Sequence, residues 1–224
     1  MGRHGQSDLT ANEGGGGARF TARALNRLDW GYRFGFLGVM GRTYRTEARL
    51  RGIALGRNAA FFGRPILMIH PGSSVTIGDD CVLVSNSRRC STANLYGPVR
   101  LQTDNDTSTI AIGQGSGLNG VSIWCRSTSV ILGEEVALGP NVTIMDSPAH
   151  ALWPPQNRSH YPGVELDRPV TIGDHVWVGN GALILPGATV GENSVIASRS
   201  VVTGEIPPNC LAAGIPAKVV RYLA

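Results

Sequence analysis

The chain is short of the residues that usually reveal a fold or a location. Aromatic residues make up 6% of 224, so the interior is not built from large rings. Lysine occurs once, as Lys218. Cys81, Cys90, Cys125 and Cys210 stand apart, with no CxxC pair and no paired-histidine spacing, which argues against a zinc module and fits a reducing compartment. No run approaches the ~20 apolar residues that span a bilayer, and the N-terminal MGRHGQSDLT lacks the apolar core of a secretory signal. Together these absences lead us to expect a soluble, cytoplasmic globular protein.

The charge that is present sits at one end. Residues 19–51 carry eight Arg against Asp29 and Glu47, a local +6, so the remainder of a chain with formal charge +4 nets −2. That distribution argues against a nucleic-acid partner, which would need a basic stripe along the body. Within the segment Trp30, Tyr32, Phe34, Phe36, Leu37 and Met40 interleave with Arg, a pattern that suits an acidic membrane surface or a polysaccharide-assembly partner. The simpler expectation is a helix packed on the body with its arginines in water, with peripheral membrane contact through residues 19–51 as the alternative.

Glycine is abundant, with 30 residues, and its placement divides the chain. Residues 1–18, with NEGGGG, read as a flexible tail, and residues 19–52 as a short helical segment. From 53 to 224 an aliphatic residue recurs, followed by Gly or polar residues and then a small one. Ile172, Val178, Ile184, Val190, Ile196 and Val202 fall every six residues without a slip. The fifth position of these hexads holds Val176, Ala182, Ala188, Ser194, Ser200 and Ile206. A helix needs a period near 3.6 and does not tolerate Gly173, Gly179, Gly187 and Gly191 at this density.

A parallel β-helix accounts for the pattern. Each hexad is one short strand and a turn, three hexads make a triangular coil, and coils stack about 4.8 Å apart. Ile172 then lies under Val190, Val178 under Ile196 and Ile184 under Val202. Leu132, Leu138 and Ile144 form a second run, and Ile112, Leu118 and Trp124 a third, with a two-residue slip between Trp124 and Leu132.

The stretch from PVTIGDHVWVGNGALILPG to AAGIPAKVVRYL resembles the C-terminal half of the hexapeptide-repeat acyltransferases, especially sugar O-acetyltransferases of the maltose and galactoside type and their polysaccharide-modifying relatives. The resemblance covers about residues 53–224. It implies an all-β fold, a left-handed parallel β-helix with a C-terminal tail, assembled as a homotrimer. Periodicity alone does not set that hand, because crossovers between parallel strands are normally right-handed.

Ile144 opens a hexad and the next regular one opens at Ile172, so residues 146–169 must leave the coil as a loop. IMDSPAHALWPPQNR resembles the family's loop carrying the catalytic histidine, and Asp146, His150 and Arg158 match it. The family reaction moves an acetyl group from acetyl-CoA to a hydroxyl, a poor nucleophile that needs a base to take its proton. His150 is the expected base. Asp146 is the expected partner of its other ring nitrogen, or else a turn residue, and His160 is the reserve base. Arg158, His160 and Asn119 are expected near the acceptor.

For the acyl donor the resemblance points to Gly179, Asn180, Ser198 and Thr203 along the coils, with Lys218 and Arg221 facing the CoA phosphates. His70 and His175 read as surface or turn residues. GQGSGLNG lies inside the repeat with no helix after it, so it does not read as a dinucleotide loop.

Rival functions are separable in the sequence. A γ-carbonic-anhydrase-like zinc enzyme needs three converging histidines, and Asn180 and Leu183 stand in that hexad instead, so no metal is expected. A non-catalytic β-helix binding a partner through its Arg-rich end would not need the histidine loop. The acceptor is open: a sugar or nucleotide sugar of envelope or exopolysaccharide synthesis, an amino sugar, or an antibiotic or other small molecule.

Overall fold

The structure, a computed structural model, describes residues 24–29, 31–159 and 163–223. The expected tail at 1–18, and His160, lie outside these residues.

The chain visits three sheets in rotation. Ala54–Leu55, Ala60–Phe62 and Ile66–Met68 each begin a sheet. The next three strands, Ser74–Ile77, Val82–Val84 and Arg100–Thr103, pair with them in turn, all parallel. Continued to the C-terminus, this rotation builds sheets of seven, eight and six strands, an arrangement consistent with a β-helix. The last pair, Cys210–Gly214 and Ala217–Tyr222, is antiparallel and covers the final open edge of the second sheet.

The hexads pack as their spacing predicts. Ile172 pairs with Val190, Val178 with Ile196 and Ile184 with Val202, and none of the six is more than 1% exposed. The fifth-position residues Val176, Ala182, Ala188, Ser194 and Ser200 are equally buried. Two inward side chains per hexad therefore supply the core, each aliphatic one contributing about 1.5–3 kcal/mol on burial. Glycine lets the coils approach: a Cβ on Gly113 would sit 2.2 Å from the Gly133 carbonyl oxygen of the next coil.

Trp124 departs from its expected place. Ile123, fully buried, pairs with Ile144, and Trp124 pairs with Met145 on the outer face, where its indole N–H donates to Asp104 at 2.7 Å. The step from Leu118 to the next core residue, Ile123, is one residue shorter than a hexad, so Trp124 falls on the outer face, while Leu132, Leu138 and Ile144 stay buried as their spacing predicts.

Two segments leave the coils. Residues 146–169 run from Thr143–Met145 on the third sheet to Val170–Ile172 on the first, as the hexad gap predicts. Residues 85–99, between Val82–Val84 and Arg100–Thr103, form a second excursion that the repeat did not announce. At the N-terminal end, residues 24–29 are helical, Gly31–Phe36 form a π-helix, and the helix Leu37–Leu50 packs on Ala60–Phe62. Among the described residues, no helix is long and apolar enough to cross a membrane.

Candidate functional site

The stem of loop 146–169 is built from buried charge. Asp146, fully buried, accepts from the backbone N–H of Arg126 at 2.7 Å through Oδ1. Its Oδ2 accepts from the N–H groups of Ser127 and Thr128 and from the Thr128 hydroxyl, at 3.1, 2.8 and 2.9 Å. These residues lie between Ile123 and Leu132, where the hexad register slips, so the slip is a turn folded round one carboxylate. The expected pairing of Asp146 with His150 is thus not the one observed. A carboxylate sealed in the coil and bonded to three successive amides has its acceptor capacity taken up by the turn. The neighbouring Cys125 thiol is pushed up to about 12, by burial first and by the Asp146 charge second, and stays protonated.

Arg126 crosses the stem. Its Nε and Nη2 donate to the two oxygens of Asp167 at 2.8 and 2.6 Å, and its Nη1 donates to the Ala149 carbonyl at 3.2 Å. Both side chains are nearly sealed from solvent, at 9% and 0% exposure. Burial alone would raise the Asp167 carboxyl; hydrogen bonds from Arg126, Ser127 and Ser147 outweigh it and hold the group below the usual carboxylate range. The Arg168 N–H donates to the Asp146 carbonyl at 2.9 Å, so the outgoing and returning arms are joined.

His150 projects from this stem. It is exposed, and Ala149 before it is held at φ 70°, a left-handed conformation costly for alanine. The Ser147 hydroxyl, accepting from Ala149 N–H at 3.0 Å, and Arg126, on the Ala149 carbonyl, keep the residue there. Further along, Arg158 is exposed and bonds the Leu152 carbonyl within the same loop.

A groove of about 380 Å³ lies on the second sheet and its turns to the third. Asn119, Gly179, Asn180 and Ser198, singled out separately from the sequence, line it together. Trp177, 56% exposed, flanks them. Lys218 and Arg221 are exposed on the strand Ala217–Tyr222, which extends the same sheet beyond Ser198. Thr203 does not join them: it is exposed on the turn after Val201–Val202, leaving the third sheet.

Sequence reasoning missed three contributors. Arg126 and Asp167 carry no local signal, because their pairing spans 41 residues. Thr92, on the 85–99 excursion, lines the groove, and that excursion is latched by Asn141, which accepts from Tyr96 N–H at 2.7 Å and donates to the Asn94 carbonyl at 3.0 Å. The polar, Gly-Pro-ended run NSRRCSTANLYGP, without a hexad aliphatic, was the available signal. Among the described residues no three His, Cys, Asp or Glu stand where they could hold a metal ion. His70 accepts from its own turn, at Gly72 N–H, and His175 faces Glu135 at 3.2 Å on the surface.

Known proteins share parts of this sequence and its fold. Residues 169–204 match the family described as bacterial transferase hexapeptide (six repeats). The galactoside O-acetyltransferase of Escherichia coli (strain K12) is 42% identical over 97 residues, 42% of this chain and 45% of that protein. Nodulation protein L of Rhizobium meliloti (strain 1021) is 40% identical over 110 residues, 49% of this chain and 58% of that protein. The chain thus spans about half the length of the curated relatives it matches. Among solved structures, a galactoside acetyltransferase in complex with coenzyme A superposes with a TM-score of 0.53 at 22% identity, over 95% of this chain and 86% of that one, which is a likeness of fold. The segment 169–204 is therefore a bacterial transferase hexapeptide repeat, and the chain that carries it resembles the hexapeptide-repeat acyltransferases of the sugar O-acetyltransferase type.

Proposed function

We propose that this protein transfers an acetyl group from acetyl-CoA to a hydroxyl of a sugar or sugar-containing acceptor, in envelope or exopolysaccharide synthesis in the cytoplasm. The observation that carries the reading is the groove lined by Asn119, Gly179, Asn180 and Ser198, with Lys218 and Arg221 beyond it on the same sheet. A slender pantetheine arm fits along coils whose outward residues are this small, and the two cations suit the phosphates at its far end. His150 takes the proton of the acceptor hydroxyl as its oxygen attacks the thioester carbonyl. The C–S bond then breaks, and the same proton passes to the departing thiolate. Asp146 acts as a positioning residue, holding the turn beneath the loop. An acceptor screen with acetyl-CoA, following free thiol and product mass, tests the reading; CoA released only by hydrolysis, with no acetylated saccharide, sinks it.

The topology also bears on assembly. The His150 loop leaves at the junction of the third and first sheets, and the groove lies on the second. In a closed three-sided, left-handed coil that junction is the corner opposite the second sheet. That separation supports a site shared between two copies, which a homotrimer would close with three. Co-expressing His150→Ala with Ser198→Trp, each inactive alone, should restore activity at the roughly one quarter of interfaces that random mixing leaves intact. Light scattering gives the mass of the same preparation. No recovery from a mixed oligomer, or turnover by a monomer, argues against the shared site.

Lys218→Ala should weaken CoA binding with little change in turnover at saturation, because a remote phosphate is held equally in ground and transition states. Kinetics with CoA and with a pantetheine donor lacking the phosphates check this. Equal losses with both donors would remove Lys218 from the phosphate site.

A further inference from the structure

The helical residues ahead of the first coil present a face that the body does not cover. The helix Leu37–Leu50 is fixed to the coil on one side only. A Cβ on Gly41 would lie 2.4 Å from the Phe61 carbonyl oxygen, Ala48 is fully buried, and Arg45 donates to the Ala59 carbonyl at 2.9 Å. On the other side Val39 is 65% exposed. In the helical residues before it Leu25, Leu28 and Phe36 are 60%, 71% and 55% exposed, and Tyr32 stacks on Phe36 with ring centroids 5.5 Å apart. Leu25 and Leu28 stand three apart in one helical stretch, and Phe36 and Val39 three apart where the next begins, so each pair adds to an exposed apolar stripe. The simpler expectation, a segment packed along the body, holds for Gly41 to Ala48; before them the Arg88 guanidinium lies over the Tyr32 ring at 5.1 Å, while Leu25, Leu28 and Phe36 stay exposed.

Charge accompanies the stripe. Residues 19–51 net +6 while the rest of the chain nets −2. Arg27, Arg42 and Arg49 are exposed, and none of them belongs to an ion pair among the described residues. We propose that this segment docks the protein on an anionic membrane surface, the apolar stripe entering the boundary between headgroups and acyl chains and the arginines meeting lipid phosphates. A second copy of this chain is the poorer occupant, because each copy brings the same +6 to the contact and the body offers only −2 in return. The stripe lies at the first-coil end of the stack. An oligomer with parallel stacks would turn every copy's stripe to one plane and multiply a weak single contact.

The full chain is floated with vesicles of phosphatidylcholine alone and of phosphatidylcholine with phosphatidylglycerol in equal parts. Binding should favour the anionic vesicles by at least about tenfold, weaken with added salt, and fall about fivefold for each of Arg27, Arg42 and Arg49 changed to Gln. Leu25→Asp with Leu28→Asp should abolish it, leaving oligomer mass and acetyl transfer in buffer unchanged. No binding, or equal binding to both vesicles, overturns the proposal. A fall in oligomer mass on the Leu25/Leu28 change overturns it too and assigns the stripe to a second copy. Neither readout depends on acetyl transfer, so this proposal and the enzymatic reading fail separately.

Discussion

Replacing His150 with alanine should slow acetyl transfer by roughly 10²- to 10⁴-fold, the usual contribution of a positioned acid or base. Folding and CoA affinity should persist, because His150 is exposed on a loop outside the aliphatic ladders and does not line the groove. Turnover with an established acceptor decides this. A variant that keeps a near-normal rate shows that another group is the base.

Breaking the Arg126–Asp167 pair should cost about 3–5 kcal/mol of stability, because either partner alone is left as a buried uncompensated charge. Arg126→Ala should be the more damaging for catalysis as well, since it also frees the Ala149 carbonyl next to His150. Denaturant midpoints give the stability. The ratio of kcat loss to KM change at matched folding gives the positioning effect, and Arg126→Lys, which keeps the charge but loses the fork, should rescue part of it. The pH dependence follows from the depressed Asp167 carboxyl. A lowered folded-state pKa stabilises above the unfolded value of about 3.9, so the advantage of wild type over Asp167→Asn is full at neutral pH. It fades as acid carries the pH below that value and through the folded one. A difference that is flat with pH would show that the pair does not hold the stem.

The late hexads were legible because each needs only its own neighbours: an aliphatic residue every sixth position is both the pattern and the packing. Trp124 was misplaced because a coil can shorten by one residue wherever a turn allows it, and the six-residue count does not record that. The histidine loop announced itself as a gap in the period. Residues 85–99 did not, because the repeat before them is too irregular for a gap to be seen.

What the sequence alone determined is therefore the local part: short strands, buried aliphatics, the loop at 146–169, and the small residues at 119, 179, 180 and 198. Tertiary structure decided which of these meet. It sent Asp146 to a turn 18 to 20 residues away, joined Arg126 to Asp167 across 41, and set Thr203 apart from the groove that its sequence neighbours line. The physical reason is that a repeating coil brings residues together by stacking and not by sequence distance. Contacts between coils depend on the summed lengths of every turn and excursion between them, which no local pattern specifies.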